Sequence, residues 1–229
     1  MSKYVQLKAA DGAELSAYVS RPEGPAKGAV VVVQEIFGVN SQIRAFADLM
    51  ASNGYVGIAP ATFDRYEKGL QLKDTGDDLK KAYEMYGKLS PDTALLDVAA
   101  AYKFVEAEEH KGIAVVGFCY GGLMAWLSAT RGENVEMQPS CTVGYYAGGI
   151  GQVAKEEPSC PVMLHFGAND SHIGKDQIDA VRSAHPDVEI FVYEGADHAF
   201  AGTERSAYNP TQAAIALKRT LDFLATNIA

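Results

Sequence analysis

The stretch GFCYGG, residues 117–122, sets a cysteine between glycines directly after the apolar run KGIAVV. The spacing Gly117-Phe118-Cys119-Tyr120-Gly121 is G-x-C-x-G, the pattern of a sharp strand-to-helix turn that presents a nucleophile, with cysteine where serine usually stands. Glycines two positions to either side let neighbouring backbone approach closely. A thiol at the first turn of a helix meets unpaired N–H groups and the positive end of the helix dipole, both of which favour a thiolate. The Tyr120 N–H is then expected to face an oxyanion forming on a carbonyl under attack. In isolation the pattern also fits a buried cysteine in a glycine-rich turn. Its place between a buried strand and a helix favours the nucleophile. Cys141, opening an apolar strand, and Cys160, before Pro161, lack that setting and are expected to be structural.

A nucleophilic thiol needs a base, and the base needs a group to orient it. In the α/β-hydrolase arrangement the chain order is nucleophile, acid, histidine. Asp170, in HFGANDSH, lies just beyond one apolar strand; His198, in YEGADHAF, lies just beyond the next. Ligands gather at such strand exits in open α/β sheets. Four other histidines compete for the base. His110 and His185 fall at the opposite ends of their strands, His165 lies inside a strand, and His172 is only two residues past Asp170. Asp197 is too close to His198 to orient it, and Asp176 reads as a first-turn helix charge. The first long strand ends VVVQEIFG. Its exit loop is expected to supply the second oxyanion donor, the Ile36 N–H. Glu35 reads either as a solvated loop charge or as a carboxylate that influences the thiol. Arg65, in the run DRY after another strand exit, reads either as an anion contact or as a local salt link.

The elements that would hold these residues can be followed along the chain. YVQLKAADGAELSAYVSRP predicts two strands turning at Asp11-Gly12. KGAVVVVQE predicts a buried parallel strand, and NSQIRAFADLMASNGY a helix stopped at Asn53-Gly54. VGIAP is a further short strand. In the less regular stretch that follows, DLKKAYEMYGKL is helical, with Leu79, Tyr83 and Tyr86 on one face. The next helix starts with Ser90 as cap and Pro91 in its first turn. KGIAVVGF, CTVGYYAG, PVMLHFGAND and VEIFVYEGADH supply strands; GGLMAWLSATR, KDQIDAVRSAH and TQAAIALKRTLDFLAT supply helices. Alternation throughout predicts an α/β fold, a mostly parallel central sheet with helices on both faces. No composition shift or repeat breaks the chain, so a single domain over residues 1–229 is expected.

Composition narrows the partners. Asp and Glu outnumber Lys and Arg 29 to 20, for a net charge of −9. Phosphate backbones need a basic patch, so no nucleic-acid partner is expected. An anionic small substrate would need locally placed Arg or Lys. GAVVVV is too short to span a bilayer, and the first residues carry no apolar signal stretch, so no membrane association is expected. Three cysteines without metal-ligand spacing suit a cytoplasmic setting, with no metal and no cofactor. The oligomeric state stays open, a monomer being the simpler expectation. The absence of Cys-x-x-Cys counts against a thiol redox protein, and a complete set of nucleophile, base and acid against a purely binding one.

Together VVVQEIFGVN, GFCYGG, HFGANDSH and EGADHAF resemble, in order and spacing, the dienelactone hydrolase family, a cysteine-using branch of the α/β-hydrolases. The resemblance runs over nearly the whole chain. It implies Cys119 as nucleophile, His198 as base, Asp170 as orienter, and a Glu35 that pairs with the resting thiol and helps to generate the thiolate. It implies hydrolysis of a carboxymethylene-butenolide to maleylacetate, a step of chloroaromatic breakdown, without metal or organic cofactor. It also implies Tyr83 and Tyr86 as pocket residues, Tyr86 standing where the family has tryptophan. The two arginines that hold the substrate carboxylate in that family are replaced here by Gly202 and Leu79. Arg205, Lys81 and Arg65 are the candidates to take their place, since a long cationic side chain can reach from a neighbouring position.

Overall fold

The computed structural model describes residues 3–108 and 111–228. His110 lies outside the described residues. Eight strands form one sheet: β1 (Lys3–Lys8), β2 (Glu14–Ser20), β3 (Ala29–Val33), β4 (Val56–Pro60), β5 (Ile113–Phe118), β6 (Cys141–Tyr145), β7 (Val162–Gly167) and β8 (Glu189–Tyr193). Their order is β1-β2-β4-β3-β5-β6-β7-β8. β1, β2 and β4 pair antiparallel, while β4, β3 and β5 to β8 run parallel. Gly12 takes φ +90° in the turn between β1 and β2, a conformation that glycine enters at no steric cost.

The parallel strands β3, β4, β5, β6 and β7 are buried along their whole length, which is why they read as near-continuous apolar runs. Helices α1 (Ser41–Ser52), α2 (Gly76–Tyr86), α3 (Pro91–Glu106), α4 (Tyr120–Arg131), α5 (Lys175–Ala184) and α6 (Pro210–Asn227) cover both faces. Asn40 caps α1 through its side chain, accepting from the Ile43 N–H at 3.2 Å. The helix stops at Asn53, with Gly54 at φ +93°.

Two local expectations change. Helix α2 buries Ala82 and Met85, while Tyr83 and Tyr86, expected on one face with Leu79, stay exposed and Leu79 is half-buried. Ser90 occupies the cap position of α3, yet its side chain makes no capping bond; its carbonyl accepts from the Ala94 N–H at 2.9 Å and the Thr93 hydroxyl at 3.1 Å.

The chain leaves β3 towards β4 on one side and returns to β5 on the other. The carboxyl ends of β3 and β5 therefore flank a topological switch point, where a crevice opens in sheets of this kind. The loop carrying Glu35 leaves β3, and Cys119 follows β5 directly.

Candidate active site

Cys119 sits at the N-cap of α4 with φ 54° and ψ −115°. A non-glycine residue in that region is strained, and it stays there only because its surroundings force it. The glycines explain how. A Cβ on Gly117 would lie 1.9 Å from the Gly121 carbonyl oxygen, and one on Gly121 would lie 2.3 Å from the Val33 carbonyl oxygen. Helix α4 thus starts in direct backbone contact with β3 and β5. The Cys119 N–H donates to the Tyr145 carbonyl at 2.9 Å, and its own carbonyl accepts from Leu123 at 3.2 Å. The half-buried thiol stands at the head of the helix. Among the described residues, no intramolecular acceptor takes the Tyr120 or the Ile36 N–H.

Asp170 and His198 come together from the exits of β7 and β8. The His198 Nδ1 lies 2.7 Å from Asp170 Oδ2. Asp170 Oδ1 accepts from the His172 and Ile173 N–H groups at 2.8 and 3.1 Å, which fixes the carboxylate in a tight loop. With Nδ1 bonded to the carboxylate, Nε2 is the free end of the ring. Tyr146 packs 5.0 Å from the His198 ring, and His172 lies edge-on at 4.9 Å. Burial opposes the positive imidazolium, but the hydrogen bond to Asp170 and the adjacent Cys119 sulfur outweigh it and lift the His198 pKa to about 10. No fully formed hydrogen bond joins the thiol to the ring among the described residues; the two are neighbours.

Glu35 is neither solvated nor paired with the thiol. It is 2% exposed and binds Arg205, whose Nη1 donates to Oε2 at 3.0 Å. Arg205 also pairs through Nε with Asp74 at 3.0 Å and lies over the Phe37 ring at 4.6 Å. Burial pushes the Glu35 carboxyl up; Arg205, the His198 charge and the Tyr146 hydroxyl pull against it. The guanidinium is the nearest full counter-charge, which is why the carboxylate turns to it instead of to a neutral thiol.

This arrangement also changes the expectations for substrate binding. Arg205 reaches the site but is held by two carboxylates. Arg65 is locked between Asp97 at 2.7 Å and Asp11 at 2.6 Å, a local salt link with a buried carboxylate. Lys81 pairs at the surface with Glu67 at 2.8 Å and Glu84 at 3.7 Å. None of the three presents a free cation to the site. Tyr86 meets Tyr120 edge-on at 5.7 Å; burial raises the pKa of the Tyr86 phenol, and the nearby Cys119 adds to that rise. Tyr83 is 55% exposed and makes no such contact.

The remaining histidines and cysteines have structural surroundings. His165 is buried between the Tyr193 hydroxyl at 2.8 Å and the Thr220 hydroxyl at 3.1 Å, and burial lowers its pKa to about 3. His185 caps the end of α5 near Glu157. Cys141 is fully buried, and burial pushes the Cys160 thiol up to about 12. His172, the rival histidine of the sequence, lies beside the pair and leaves the carboxylate to His198, while Asp74 and Tyr146 join the site without any sequence signal that distinguishes them.

Among the described residues there is no cluster of three or more His, Cys, Asp or Glu that could hold a metal ion. Nor, among the described residues, is any helix long and apolar enough to cross a membrane. A separate apolar cavity of about 280 Å³ lies between α1 and α6, walled by Phe46, Leu49, Phe118 and Leu217. Neither Cys119 nor His198 lines it, so it is not the chamber in which this thiol would react.

Comparison with known proteins gives a consistent picture. The model of the dienelactone hydrolase family matches residues 15–228. The carboxymethylenebutenolidases of Pseudomonas putida and Pseudomonas knackmussii are each 29% identical over 234 residues, covering 98% of this chain and 97% of each relative. A dienelactone hydrolase-like promiscuous phosphotriesterase from metagenomic libraries superposes with a TM-score of 0.76 at 20% identity, over 99% of this chain and 98% of its own, a likeness of fold.

Proposed function

The chain belongs to the dienelactone hydrolase family and is a carboxylic ester hydrolase of the α/β-hydrolase type, and from this we propose that it cleaves a small enol lactone or activated ester through a thioester on Cys119. The observation that carries the reading is the convergence of three chain exits. Cys119 on its strained turn neighbours a His198 held by Asp170 at 2.7 Å.

In this reading the Cys119 thiolate attacks the carbonyl carbon. The Ile36 and Tyr120 N–H groups, which have no intramolecular acceptor, hold the oxyanion. The tetrahedral species collapses, breaking the bond to the leaving oxygen, which takes the proton of His198. The now neutral imidazole removes a proton from water, and the resulting hydroxide attacks the thioester. Collapse expels the thiolate and leaves a carboxylic acid. Asp170 keeps the ring in the tautomer whose Nε2 faces the reaction. Glu35 is a further ionisable group of the site beside Cys119, His198 and Asp170, and a negative charge on it favours the protonated imidazole. A thiolate is a better leaving group than an alkoxide, so productive turnover requires a stabilised leaving oxygen such as an enolate.

The favoured substrate is uncharged. A substrate carboxylate would have to take Arg205 from Glu35 and Asp74, while Arg65 and Lys81 are bound to other carboxylates. The test is kcat/KM for a carboxymethylene-butenolide beside an uncharged enol lactone of similar size, with Cys119→Ala as background. The uncharged lactone should be preferred and the variant inactive. A strong preference for the carboxylate form would refute the substrate reading, and undiminished turnover by Cys119→Ala would refute the nucleophile.

A further inference from the structure

Building on Cys119 as the nucleophile, we propose that Tyr146 is a positioning residue of the reaction. Its hydroxyl is the donor available to the buried Glu35 carboxylate, and its ring packs against the imidazole of His198.

Four described non-glycine residues have positive φ: Cys119, Glu136, Tyr146 and Ala199. Glu136 ends a short helical turn elsewhere. The other three meet at the site, Ala199 directly following His198. Tyr146, at φ 37°, lies one residue past the end of β6, where its N–H still donates to the His165 carbonyl at 2.7 Å. The sheet ladder therefore pins the residue while its backbone departs from strand geometry. Strain of this kind persists only where the surroundings over-determine it, and it gathers at functional sites.

The side chain shows what that backbone achieves. The ring is fully buried, 5.0 Å from His198, 5.7 Å from Phe200 in an edge contact, and 6.2 Å from Phe118. Packing alone would be served by phenylalanine. The hydroxyl instead has no formed hydrogen bond, and neither has Glu35 Oε1, although both are buried. The two are close enough that the hydroxyl eases the ionisation of Glu35, and Glu35 and Cys119 both oppose ionisation of the phenol. The hydroxyl is thus a neutral donor that feels the charge of both Glu35 and Cys119. Oε1 is the carboxylate oxygen that Arg205 leaves open, and the inferred bond from the hydroxyl would satisfy both buried atoms. The charged groups that face Glu35 are Arg205, His198 and Asp74; those that face Tyr146 are Glu35, Cys119 and Arg205.

The discriminating variant is Tyr146→Phe, which keeps the ring. It is measured with an uncharged enol lactone beside Glu35→Gln, the double variant and Cys119→Ala. Losing the donor makes Glu35 easier to protonate, so the acid limb of the kcat/KM profile should move to higher pH. We expect kcat to fall about tenfold while KM changes by less than about threefold, without loss of thermal stability. In the Glu35→Gln background the same substitution should have little further effect, since the two act as one unit. Wild-type kcat and an unmoved acid limb in Tyr146→Phe, with Cys119→Ala inactive, would overturn this inference and leave the nucleophile reading standing. An additive effect in the double variant would also overturn it. Turnover by Cys119→Ala would overturn both.

Discussion

Gly117→Ala tests whether the backbone contact between β5 and α4 sets the position of the thiol. The added methyl would sit 1.9 Å from the Gly121 carbonyl oxygen, 2.3 Å from the Gly121 carbonyl carbon and 3.0 Å from the Gly122 nitrogen. All three are backbone atoms, so no side chain can swing away. Opening the shortest contact even to 3.0 Å moves the first turn of α4 by about 1.1 Å relative to β5. Cys119 lies between these two elements and must move with the turn. A misplacement of about 1 Å costs on the order of 100-fold in rate, close to 3 kcal/mol of barrier. Overpacking should cost a further 1–3 kcal/mol or so of stability. Gly148→Ala is the control, because a Cβ there meets nothing within 4 Å. The assay is kcat/KM on an uncharged enol lactone, with the rate of Cys119 alkylation by iodoacetamide and the melting temperature measured in parallel. A folded Gly117→Ala enzyme within twofold or so of the wild-type rate would show that the turn does not need this contact, and would refute the reasoning.

Asp170→Asn should lower kcat at least about 100-fold with little change in melting temperature, since the amide keeps the shape and spoils the tautomer; a change below about fivefold would exclude Asp170 as the orienter. Arg205→Met should destabilise the protein by about 3 kcal/mol in urea titrations, because it strands the buried Glu35, and adding Glu35→Gln should restore most of that loss. Failure of the second substitution to restore stability would mean that Arg205 acts through Asp74 or Phe37 instead. His165 has a folded-state pKa near 3, below its ordinary value of about 6.5, so its contribution is present above that ordinary value and is lost as pH falls from there towards 3. At about pH 4.5 this amounts to between 2 and 3 kcal/mol or so, and the stability of His165→Gln should fall less steeply over the same range by that amount; parallel slopes would refute it.

Much of the fold is written in local patterns. The continuous apolar runs of β3, β5 and β7 are those of strands buried on both faces, while Asp11-Gly12 marks the turn from β1 to β2 and Asn53-Gly54 the end of α1, because glycine takes the positive φ found there. The burial of α2 was not legible: the repeat shows that Leu79, Tyr83 and Tyr86 share a face, but not that Ala82 and Met85 are the residues buried while both tyrosines stay exposed.

The candidate site divides in the same way. Cys119, Asp170 and His198 each follow a strand at a characteristic spacing, so the sequence alone places them at one edge of the sheet. Chain order and a glycine-framed turn are local properties, and they survive without knowledge of the partners. The fate of the charges was not local. Arg205 is 170 residues from Glu35 and joins it only because the loop after His198 folds back over the exit of β3. Arg65 finds Asp97 across 32 residues and Asp11 across 54. Tyr146 becomes part of the site through a backbone twist that no neighbouring residue announces. A buried charge takes whichever counter-charge the packed chain brings nearest, because leaving it unpaired in a low-dielectric interior costs several kcal/mol or so. That choice is made by tertiary structure alone, and here it binds the candidate substrate cations to the protein's own carboxylates.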